Sequence, residues 1–427
     1  MFHNHTIQVF EYELLNIGKR GFSEHHWKAL GRYNESFGGN YFKLTPDGVR
    51  FQNYVGVIQV GNITIEILPK IGKDNAAESE KSIWQKVLIN MLRECNWMRV
   101  HTNEKAALQY NQSSILEAYL DIFLRECESL LHHGLIKKYR QQNNNCSALK
   151  GKLLFAQNLQ KNIVHQERFF TRHQIYDKDN IFNQILLKAL LIIPQISQSP
   201  ALKDRVYSLL LSFPELSDIR VSESTFSALV FDRKTDAYRE AIEIAAMLLL
   251  NYRPDISSGH NHILAILFDM NELWEEYVFH QMKRHLHMGW NIRAQEHQPF
   301  WTSHSKQTKS IKPDIVLTHD DQTIIIDTKW KLPENNIPSD NDLKQMFVYN
   351  EYWSATKAIL LYPHLSWLES PHIEHGNFRT TPMFQRSIDT FENSLLMHSC
   401  GIMKISVMNE GRVLDEVMGR RIWVNLF

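Results

Sequence analysis

The chain has 427 residues, of which 43% are hydrophobic and 22% are charged, and its formal net charge is zero with histidine neutral. This length exceeds one ordinary core, so we expect two or three domains. Zero net charge excludes attraction to a polyanion by bulk charge, so any such binding must come from local patches. Four cysteines without paired spacing predict a reduced, cytoplasmic setting, with neither a disulfide framework nor a zinc site.

Residues 1–78 are predicted to form a β-rich domain. The stretches TIQVFEYELL, VRFQNYVGVIQVG and ITIEILPKIG combine β-branched and aromatic residues with partial alternation. Glycines and the Thr-Pro-Asp-Gly stretch (45–48) mark turns, which favours a small barrel or a strongly bent sheet. The first ten residues, MFHNHTIQVF, lack the basic segment and the apolar run of a signal peptide.

Residues 79–254 are predicted to be mainly helical, because apolar residues recur there at helical spacing. The stretches with this pattern are SEKSIWQKVLINMLREC, SSILEAYLDIFLRECESLLHHGL, NIFNQILLKALLIIPQI and TDAYREAIEIAAMLLLNY. The most apolar window, ILLKALLII (185–193), is too short to span a membrane and predicts a buried helix. Between the helices, residues 137–155 predict a loop rich in amide and basic residues, which is either a phosphate-binding stretch or a solvated connection.

Residues 255–427 are predicted to form the last domain, after a break at Arg253-Pro254-Asp255. The predicted elements are the helix LFDMNELWEEYVFHQMKRHL, strands at roughly 312–318 and 323–330, a helix from Ser339-Asp340, and strands in KAILLYP and GIMKISVM. Helices mixed with strands around a buried hairpin indicate an α/β or α+β domain. The fold class predicted for the whole chain is therefore α+β multidomain.

The stretch IKPDIVLTHDDQTIIIDTKWK predicts an antiparallel hairpin with charges at the end of its two strands. If the hairpin turns at Asp320-Asp321, its register places Asp314 opposite Asp327. Both strands are apolar on both faces, and charges at the edge of a core are costly unless they have a function. The simpler alternative is a surface hairpin with a salt bridge.

Asp314, Asp327, Lys329 and the backbone carbonyl of Thr328 form the candidate catalytic group. Side chains alternate along a strand, so Asp327 and Lys329 share a face while the Thr328 side chain points the other way. Two carboxylates and a carbonyl suit Mg²⁺, and two buried aspartates repel each other without a cation. A bound metal lowers the pKa of a water, and Lys329 can position or activate that water. The pattern predicts phosphodiester hydrolysis.

The helices on either side of the hairpin offer further candidates. The preceding helix carries Glu272, Glu275 and Glu276, one of which could bind the metal or orient a metal-bound water. The following helix carries Gln345, one turn before Tyr349, which could contact a phosphate or the lysine. A solvated helix face is the alternative for each of these residues.

The sequence also resembles a known family. KPDIVL followed by IIIDTKWK resembles the PD-(D/E)xK nuclease signature, with Asp in place of Glu at the second acidic position. NELWEEYVFHQM, LKQMFVYNEYW and KAILLYP are similar to the McrC family, the nuclease subunit of McrBC-type modification-dependent restriction systems. VFEYELL, YVGVIQVGNITIEILPKIG, ALKGKLLFAQNLQ and KDNIFNQILLKALL extend the resemblance over most of the chain.

The resemblance implies a restriction-endonuclease-like C-terminal domain that cleaves DNA with Mg²⁺, for which Mn²⁺ can substitute. It implies that the catalytic residues are Asp314, Asp327, Lys329, Glu275 and Gln345. The expected metal ligands are Asp314, Asp327, the Thr328 carbonyl and Glu275. Because Glu276 is adjacent to Glu275, the resemblance leaves open which of the two is the helix carboxylate.

The resemblance also implies partners. These are double-stranded DNA carrying a modification and a McrB-type AAA+ ring that uses GTP or ATP and is engaged by the β-rich N-terminal part. The chain has no GxxxxGK[ST] phosphate loop, which agrees with a partner that supplies the nucleotide chemistry. A dimer of nuclease domains is a further expectation, because cutting both strands needs two active sites.

Other motifs have ordinary explanations. Three close histidine pairs lack the further ligands of a zinc site, namely His3/His5, His260/His262 and His285/His287. Aromatic residues at helical spacing predict core rather than base-stacking platforms, namely Trp274, Tyr277, Tyr349, Tyr352 and Trp353. Four arginines could grip phosphates or lie on a solvated surface, namely Arg379, Arg386, Arg420 and Arg421.

Two other functions stay open. One is a regulatory adaptor of an AAA+ NTPase, whose nuclease-like domain mainly binds DNA or dimerises. The other is a stand-alone DNA repair nuclease, which leaves the long N-terminal parts without an obvious task.

Overall fold

The structure is a computed structural model, and it describes residues 5–37, 41–71, 78–98, 114–253, 262–333, 337–355, 357–364, 371–378 and 398–427. The chain divides into two compact units, each assembled from segments that are distant in sequence. The first comprises Met1–Thr6, Val57–Thr64 and Arg99–Ile266, and the second comprises Ile7–Gly56, Ile65–Met98 and Leu267–Phe427. Helices and sheets occur in both units, which confirms the α+β class, whereas the domain boundaries at residues 78 and 254 stay predictions.

The N-terminal part is rich in strands, as predicted. Its described elements are β1 (His5–Phe10), β2 (Leu14–Asn16), α1 (Glu24–Phe37), β3 (Phe42–Thr45), β4 (Gly48–Phe51), β5 (Tyr54–Val60) and β6 (Ile63–Leu68). Strands β5 and β6 are almost wholly buried, which explains their continuous apolar sequences. Helix α1 is absent from the sequence-based expectation, and it buries Leu30 and Tyr33, which lie one turn apart.

The middle of the chain is mainly helical. It contains α2 (Glu78–Glu94), α3 (Ile115–His133), α4 (Phe155–Lys161), α5 (Ile181–Ile196), α6 (Pro200–Ser212), α7 (Glu223–Ser227), a 3₁₀ turn (Asp236–Tyr238) and α8 (Arg239–Asn251). Apolar periodicity predicts α2, α3, α5 and α8 correctly. Helices α3 and α5 both pack against α6 and α8, which explains why they are apolar on more than one face. No helix in the described ranges is long and apolar enough to cross a membrane.

The loop predicted at residues 137–155 is wrong over most of its length. Its Gln/Asn run lies in β7 (Lys138–Cys146), which forms a small sheet with β8 (Lys152–Leu153) and β9 (Phe169–Asp177) in the order β7-β9-β8. Every residue of β7 is paired with β9. Amide side chains alone favour turns, but here the strand partner satisfies the backbone and overrides that preference.

The last part of the chain alternates strands and helices. Its elements are β10 (Tyr252–Arg253), β11 (Ile263–Asp269), α9 (Met270–Arg284), β12 (Asn291–Ala294), β13 (Gln298–Thr302), β14 (Thr308–Ile311), β15 (Ile315–His319), β16 (Gln322–Thr328), α10 (Asp340–Trp353), β17 (Lys357–His364), β18 (Ile373–Asn377), β19 (Ser399–Ser406) and α11 (Met418–Leu426). Strand β11 completes a sheet of order β1-β6-β5-β11-β10. The predicted helix LFDMNELWEEYVFHQMKRHL starts three residues late, because its first three residues end β11 and Asp269 caps α9.

A six-stranded sheet of order β12-β15-β16-β17-β19-β18 forms the core around the hairpin. Strands β15 and β16 are antiparallel, whereas β16, β17 and β19 run parallel. Helix α10 packs on β16 and β17, and α11 packs on α9. The two central strands therefore carry apolar residues on both faces, as their sequences indicate.

Helix α11 lies against α9 so closely that only glycine fits at position 419. A Cβ atom there would lie 2.0 Å from the backbone oxygen of Gln281 and 2.4 Å from its carbonyl carbon. We predict that Gly419→Ala lowers the free energy of unfolding by about 1–3 kcal/mol, because one of the helices must shift. Urea unfolding followed by tryptophan fluorescence measures this change.

The matched control for that change is Gly411→Ala. Its added Cβ meets the side chain of Asn409 at 3.3 Å and no backbone atom within 4 Å. The control should change the unfolding midpoint much less, and equal midpoints for the two variants would contradict the tight helix contact.

Candidate active site

The hairpin β15–β16 has the predicted register. Its ladder begins with Ile315 opposite Ile326 and ends at the turn, where Asp320 has a left-handed backbone with φ 47°. One step beyond the first pair, the same register places Asp314 opposite Asp327. Aspartate adopts the left-handed conformation more readily than most residues, which fits the turn.

Asp314 is held by Thr328 through one carboxylate oxygen. The backbone N–H of Thr328 donates to Asp314 Oδ2 at 2.6 Å, and its hydroxyl donates to the same oxygen at 2.9 Å. The sequence predicts that the Thr328 side chain points away, and this is wrong. Asp314 precedes the first residue of β15, so the alternation of side chains along a strand does not determine its direction. Its carboxylate therefore reaches the hydroxyl of Thr328.

Asp327 lies at the end of β16 and is 1% exposed. Its Oδ2 atom forms an ion pair with Lys329 Nζ, although it accepts no hydrogen bond of normal geometry. The predicted alternative of a salt bridge between these residues is therefore present. The carboxylate is buried, however, and the pair does not lie on a surface hairpin.

Helix α10 orients Lys329 through uncharged groups. Lys329 Nζ donates to Gln345 Oε1 at 3.3 Å, and Gln345 Nε2 donates to the hydroxyl of Tyr349 at 2.7 Å. That hydroxyl donates to the backbone oxygen of Lys312 at 2.6 Å. The chain of hydrogen bonds leads from the lysine back to the backbone two residues before Asp314, so it links both strands of the hairpin.

Burial and mutual repulsion shape the protonation of this group. Burial raises the pKa of Asp327 to about 7, and the charge of Asp314 adds to the shift while Lys329 opposes it. Burial also raises the pKa of Asp314, against the two hydrogen bonds from Thr328. Burial alone would lower the pKa of Lys329, but the carboxylate of Asp327 outweighs it and the pKa is raised. The two aspartates, Asp327 buried and Asp314 half-buried, thus oppose each other's ionisation.

Glu275 on α9 is the helix carboxylate that lies beside this pair. Burial raises its pKa to about 7, and the negative charge of Asp314 raises it further. Gln295 Nε2 donates to Glu275 Oε1 at 2.7 Å, which opposes the shift. Three carboxylates from α9, β16 and the start of β15 therefore share one electrostatic environment.

The other two glutamates of α9 have different surroundings. Glu272 is exposed, and Glu276 forms an ion pair with His280 along the helix at 3.5 Å. The structure thus places Glu275 near Asp314, whereas Glu276 is paired with His280 of its own helix. Whether Glu275 binds a metal stays a prediction.

Gln295 is a site residue that the sequence analysis misses. It has a left-handed backbone with φ 48°, and its N–H donates to the backbone oxygen of Asp314 at 3.0 Å. Its side chain holds Glu275, so one residue positions two of the three carboxylates. A non-glycine residue in this conformation is strained and often marks a functional site. Its sequence context, Ala-Gln-Glu, contains no glycine that could reveal it.

A buried glutamate connects the first strand to the end of β16. Glu11 Oε1 accepts hydrogen bonds from the indole of Trp330 and from the N–H of Lys70, both at 2.7 Å. The indole of Trp330 also packs on Trp274, with ring centroids 5.4 Å apart. The residue that follows Lys329 is therefore fixed by α9 and by the N-terminal part of the same unit.

The donor set of the site suits a hard cation. Magnesium is usually bound by one or two carboxylates together with waters, and Asp314 and Asp327 supply two buried carboxylates that repel each other. Within the described residues, no three His, Cys, Asp or Glu side chains are grouped closely enough to hold a metal ion. In this arrangement Lys329 neutralises the charge of Asp327.

The remaining candidates have structural roles where the structure describes them. Trp274, Tyr277, Tyr349 and Trp353 are buried, as predicted for core residues, whereas Tyr352 is exposed. Arg421 pairs with Asp415, and Arg420 is exposed. His3, His260, Arg379 and Arg386 lie outside the described residues. The four cysteines are free, which agrees with the absence of disulfides.

Comparison with protein families identifies the chain. The family model of the McrBC 5-methylcytosine restriction system component matches residues 49–363, which is more than half of the chain. The chain belongs to the McrBC restriction-system family. The resemblance of the sequence motifs to McrBC-type restriction systems is thereby confirmed.

Known members of the McrBC family agree with this assignment. A protein of Escherichia coli (strain K12), the type IV methyl-directed restriction enzyme EcoKMcrBC, is 21% identical over 262 residues, covering 55% of this chain and 73% of the relative. A chain in the refined half-complex from a tetradecameric assembly of Thermococcus gammatolerans McrB AAA+ hexamers with bound McrC has TM-score 0.71 at 17% identity and 99% coverage of both chains. The cryo-EM structure of the Thermococcus gammatolerans McrBC complex gives TM-score 0.51 at 18% identity, covering 66% of this chain and 88% of that one. At these identities the two structures establish a shared fold.

Glu11 should make stability depend on pH. Burial raises its pKa from about 4.5 to about 8, so the folded chain binds the proton more tightly than the unfolded chain. Stability should therefore fall as pH rises from about 4.5 to about 8, by at most ~1.4 kcal/mol per pH unit. In Glu11→Gln the part of this loss due to Glu11 should be absent, so apparent melting temperatures should fall less across that range than in the wild type, where Asp327 and Glu275 also contribute.

A matched control for Glu11→Gln is Glu13→Gln, which removes a partly exposed carboxylate paired with Arg20. This control should keep the falling trend of the wild type. Parallel pH curves for Glu11→Gln and the wild type would contradict the role of the buried carboxyl group.

Proposed function

We propose that this McrBC restriction-system component is the nuclease subunit, and that it hydrolyses DNA phosphodiester bonds at Asp314, Asp327 and Lys329 in a PD-(D/E)xK-type domain. The observation that carries the proposal is the pair of opposed carboxylates Asp314 and Asp327, of which Asp327 is buried and ion-paired with Lys329. Buried like charges are unfavourable for folding and are retained where they have a function.

Asp314, Asp327 and the Thr328 carbonyl would hold Mg²⁺, with Mn²⁺ as a substitute, and Glu275 would orient a metal-bound water. When bound, the cation neutralises the carboxylates, polarises the phosphate and lowers the pKa of a water. The raised pKa of Lys329 keeps its ammonium protonated at neutral pH. Lys329 would donate a hydrogen bond that positions or activates the attacking water, or that stabilises charge on the phosphate.

The uncharged neighbours of the site position these groups. Gln345 holds the ammonium of Lys329, and Gln295 holds the carboxylate of Glu275. Both are amides, so they fix geometry without adding to the charge that the substrate phosphate must approach. Attack by water leaves no covalent intermediate on the chain.

The partner we propose is a McrB-type AAA+ ring, which carries the nucleotide hydrolysis and the recognition of modified DNA. The 99% coverage of a chain in the Thermococcus gammatolerans assembly of McrB hexamers with McrC supports this partner. The β-rich N-terminal part would engage the ring. The setting we propose is cytoplasmic, with the ring using GTP or ATP.

A second candidate function is an adaptor that activates the ring without cutting DNA. It is favoured by one observation, the ion pair in which Lys329 neutralises Asp327. The two functions differ in which activity the aspartates support. A pure adaptor would keep stimulation of the ring NTPase and would have no cleavage to lose.

Removing either charge of the ion pair should abolish cleavage. We predict that Asp327→Asn and Lys329→Met each lower DNA cleavage in the reconstituted complex with Mg²⁺ by at least about 100-fold. Stimulation of the partner NTPase should remain, because neither change alters the hydrophobic core. Cleavage of a modified plasmid and nucleotide hydrolysis are measured in the same reaction.

The matched control is Asp320→Asn in the turn of the same hairpin, where the side chain is 88% exposed. Asparagine tolerates the left-handed backbone at this position, so cleavage should be unchanged. Cleavage at wild-type rates by both Asp327→Asn and Lys329→Met would refute the nuclease assignment.

Substitutions of the two adjacent glutamates of α9 should have different effects on cleavage. Glu275→Gln should reduce cleavage by at least about tenfold, because it removes a carboxylate beside Asp314. Glu276→Gln should leave cleavage near the wild-type rate, since its partner is His280 on the same helix. The reverse ranking would reassign the helix carboxylate.

A further inference from the structure

Strands β13 and β14 form a ribbon that joins no other sheet in the described part of the chain. The pairing runs from Gln298 opposite Ile311 to Thr302 opposite Thr308. An isolated pair of strands is marginally stable in water and adds little to a core. The ribbon therefore needs an explanation other than the stability of the sheet beside it.

The ribbon is basic and carries an exposed aromatic side chain. Residues 297–312 include Lys306, Lys309 and Lys312 but no aspartate or glutamate, and all three lysines are exposed. Trp301 is 55% exposed and lies directly across from Lys309, so the indole and the ammonium project from the same face. This surface complements an anionic partner that also has flat apolar groups.

The ribbon is held by an aromatic contact in the middle of β13 and by hydrogen bonds in the connecting loop. A β-bulge allows Phe300 to pack on Tyr352 of α10, with ring centroids 5.7 Å apart, while the next residue stays exposed. In the connecting loop, the N–H of Ser303 donates to the oxygen of Gln307 at 2.8 Å, and the N–H of Lys306 donates to the oxygen of Ser303 at 3.0 Å. The lysines are thus presented from an ordered support.

The base of the ribbon lies at the candidate active site. Asp314 follows Ile311, the last residue of β14, by three residues, which span at most about 10 Å. Lys312, between them, lies close enough to Asp314 and Glu275 for its charge to act on both. A polyanion that follows the ribbon therefore leads to the carboxylates.

We propose that the β13–β14 ribbon binds the phosphate backbone of the DNA duplex next to the phosphodiester that the site cleaves. Lys306 and Lys309 contact phosphates, and Trp301 packs on the adjoining groove. A strand of this length spans about 17 Å, which is half a helical turn of DNA, and a two-stranded ribbon fits the major groove. The inference rests on the proposed nuclease function and adds how that site holds its substrate.

The test measures binding without cleavage. Asp327→Asn in the full chain keeps a fluorescein-labelled duplex intact, and anisotropy gives its affinity from about 50 to 200 mM salt. Adding Lys306→Ala and Lys309→Ala should weaken binding by about 10- to 100-fold. It should also reduce the slope of log affinity against log salt by about 1.8, since two phosphate contacts are lost.

The matched control removes two exposed lysines from another part of the same unit, Lys19 and Lys43. Lys19→Ala/Lys43→Ala in the same background makes the same change in net charge and should alter neither affinity nor slope by more than a small fraction of the ribbon effect. Trp301→Ala should weaken binding several-fold with an unchanged slope, because an aromatic contact releases no counterions.

The proposal is overturned if the ribbon variant binds the duplex as tightly as the Asp327→Asn chain does, or if the Lys19→Ala/Lys43→Ala control loses as much affinity as the ribbon variant. It is overturned as well if the Asp327→Asn chain binds no duplex at about 50 mM salt. It is also overturned if the ribbon variant binds DNA normally but no longer stimulates the partner NTPase, which would assign the ribbon to the ring. Cleavage by the wild-type chain is measured separately. If the wild-type chain did not cleave DNA, the nuclease function would be refuted, whereas the binding result would still stand.

Discussion

Two carboxylates, one buried and one half-buried, lie opposite each other at the open end of one hairpin, and the rest of the site is arranged around their repulsion. Asp314 uses one oxygen to bind Thr328, and Asp327 pairs with Lys329, so each charge has a different partner. The apolar ladder and the left-handed turn at Asp320 together keep the aspartates in register. The hydrophobic core of the sheet thus sets the spacing of the charges.

Neutral side chains from separate elements complete this arrangement. Gln295, which precedes the ribbon, holds Glu275 of α9. Gln345 and Tyr349 of α10 bond to Lys329 and to the backbone of Lys312, which flank the hairpin. An amide or a phenol can hold a charged group in one position without changing the net charge of the site. The positions of the charged groups can therefore be fixed while the net charge of the site is determined by the carboxylates and by the lysines near Asp314. The ribbon lysines Lys306 and Lys309 continue the positive charge of Lys312 away from the carboxylates.

Sequence patterns predict the parts of this structure that depend on periodicity. The hairpin, α10 and the pairing of Asp314 with Asp327 follow from strand alternation and from the position of the turn. The role of Gln295 depends on a left-handed backbone conformation that no neighbouring residue indicates. The hydroxyl of Thr328 reaches Asp314 because Asp314 lies just outside the β15–β16 ladder. The strand β7 is misread because its amide-rich sequence favours turns until a partner strand is present. Tertiary pairing decides each of these cases, and it is invisible in a local window.

The bond between Glu11 and Trp330 joins two points that are 319 residues apart along the chain. Trp330 is bonded through a single peptide link to Lys329, and its ring is clamped against Trp274, so it has little room to move. A pull on the segment after β1 must therefore break a buried hydrogen bond or transmit tension to the lysine. Glu11 thus mechanically couples the segment after β1 to Trp330, which lies one residue from Lys329.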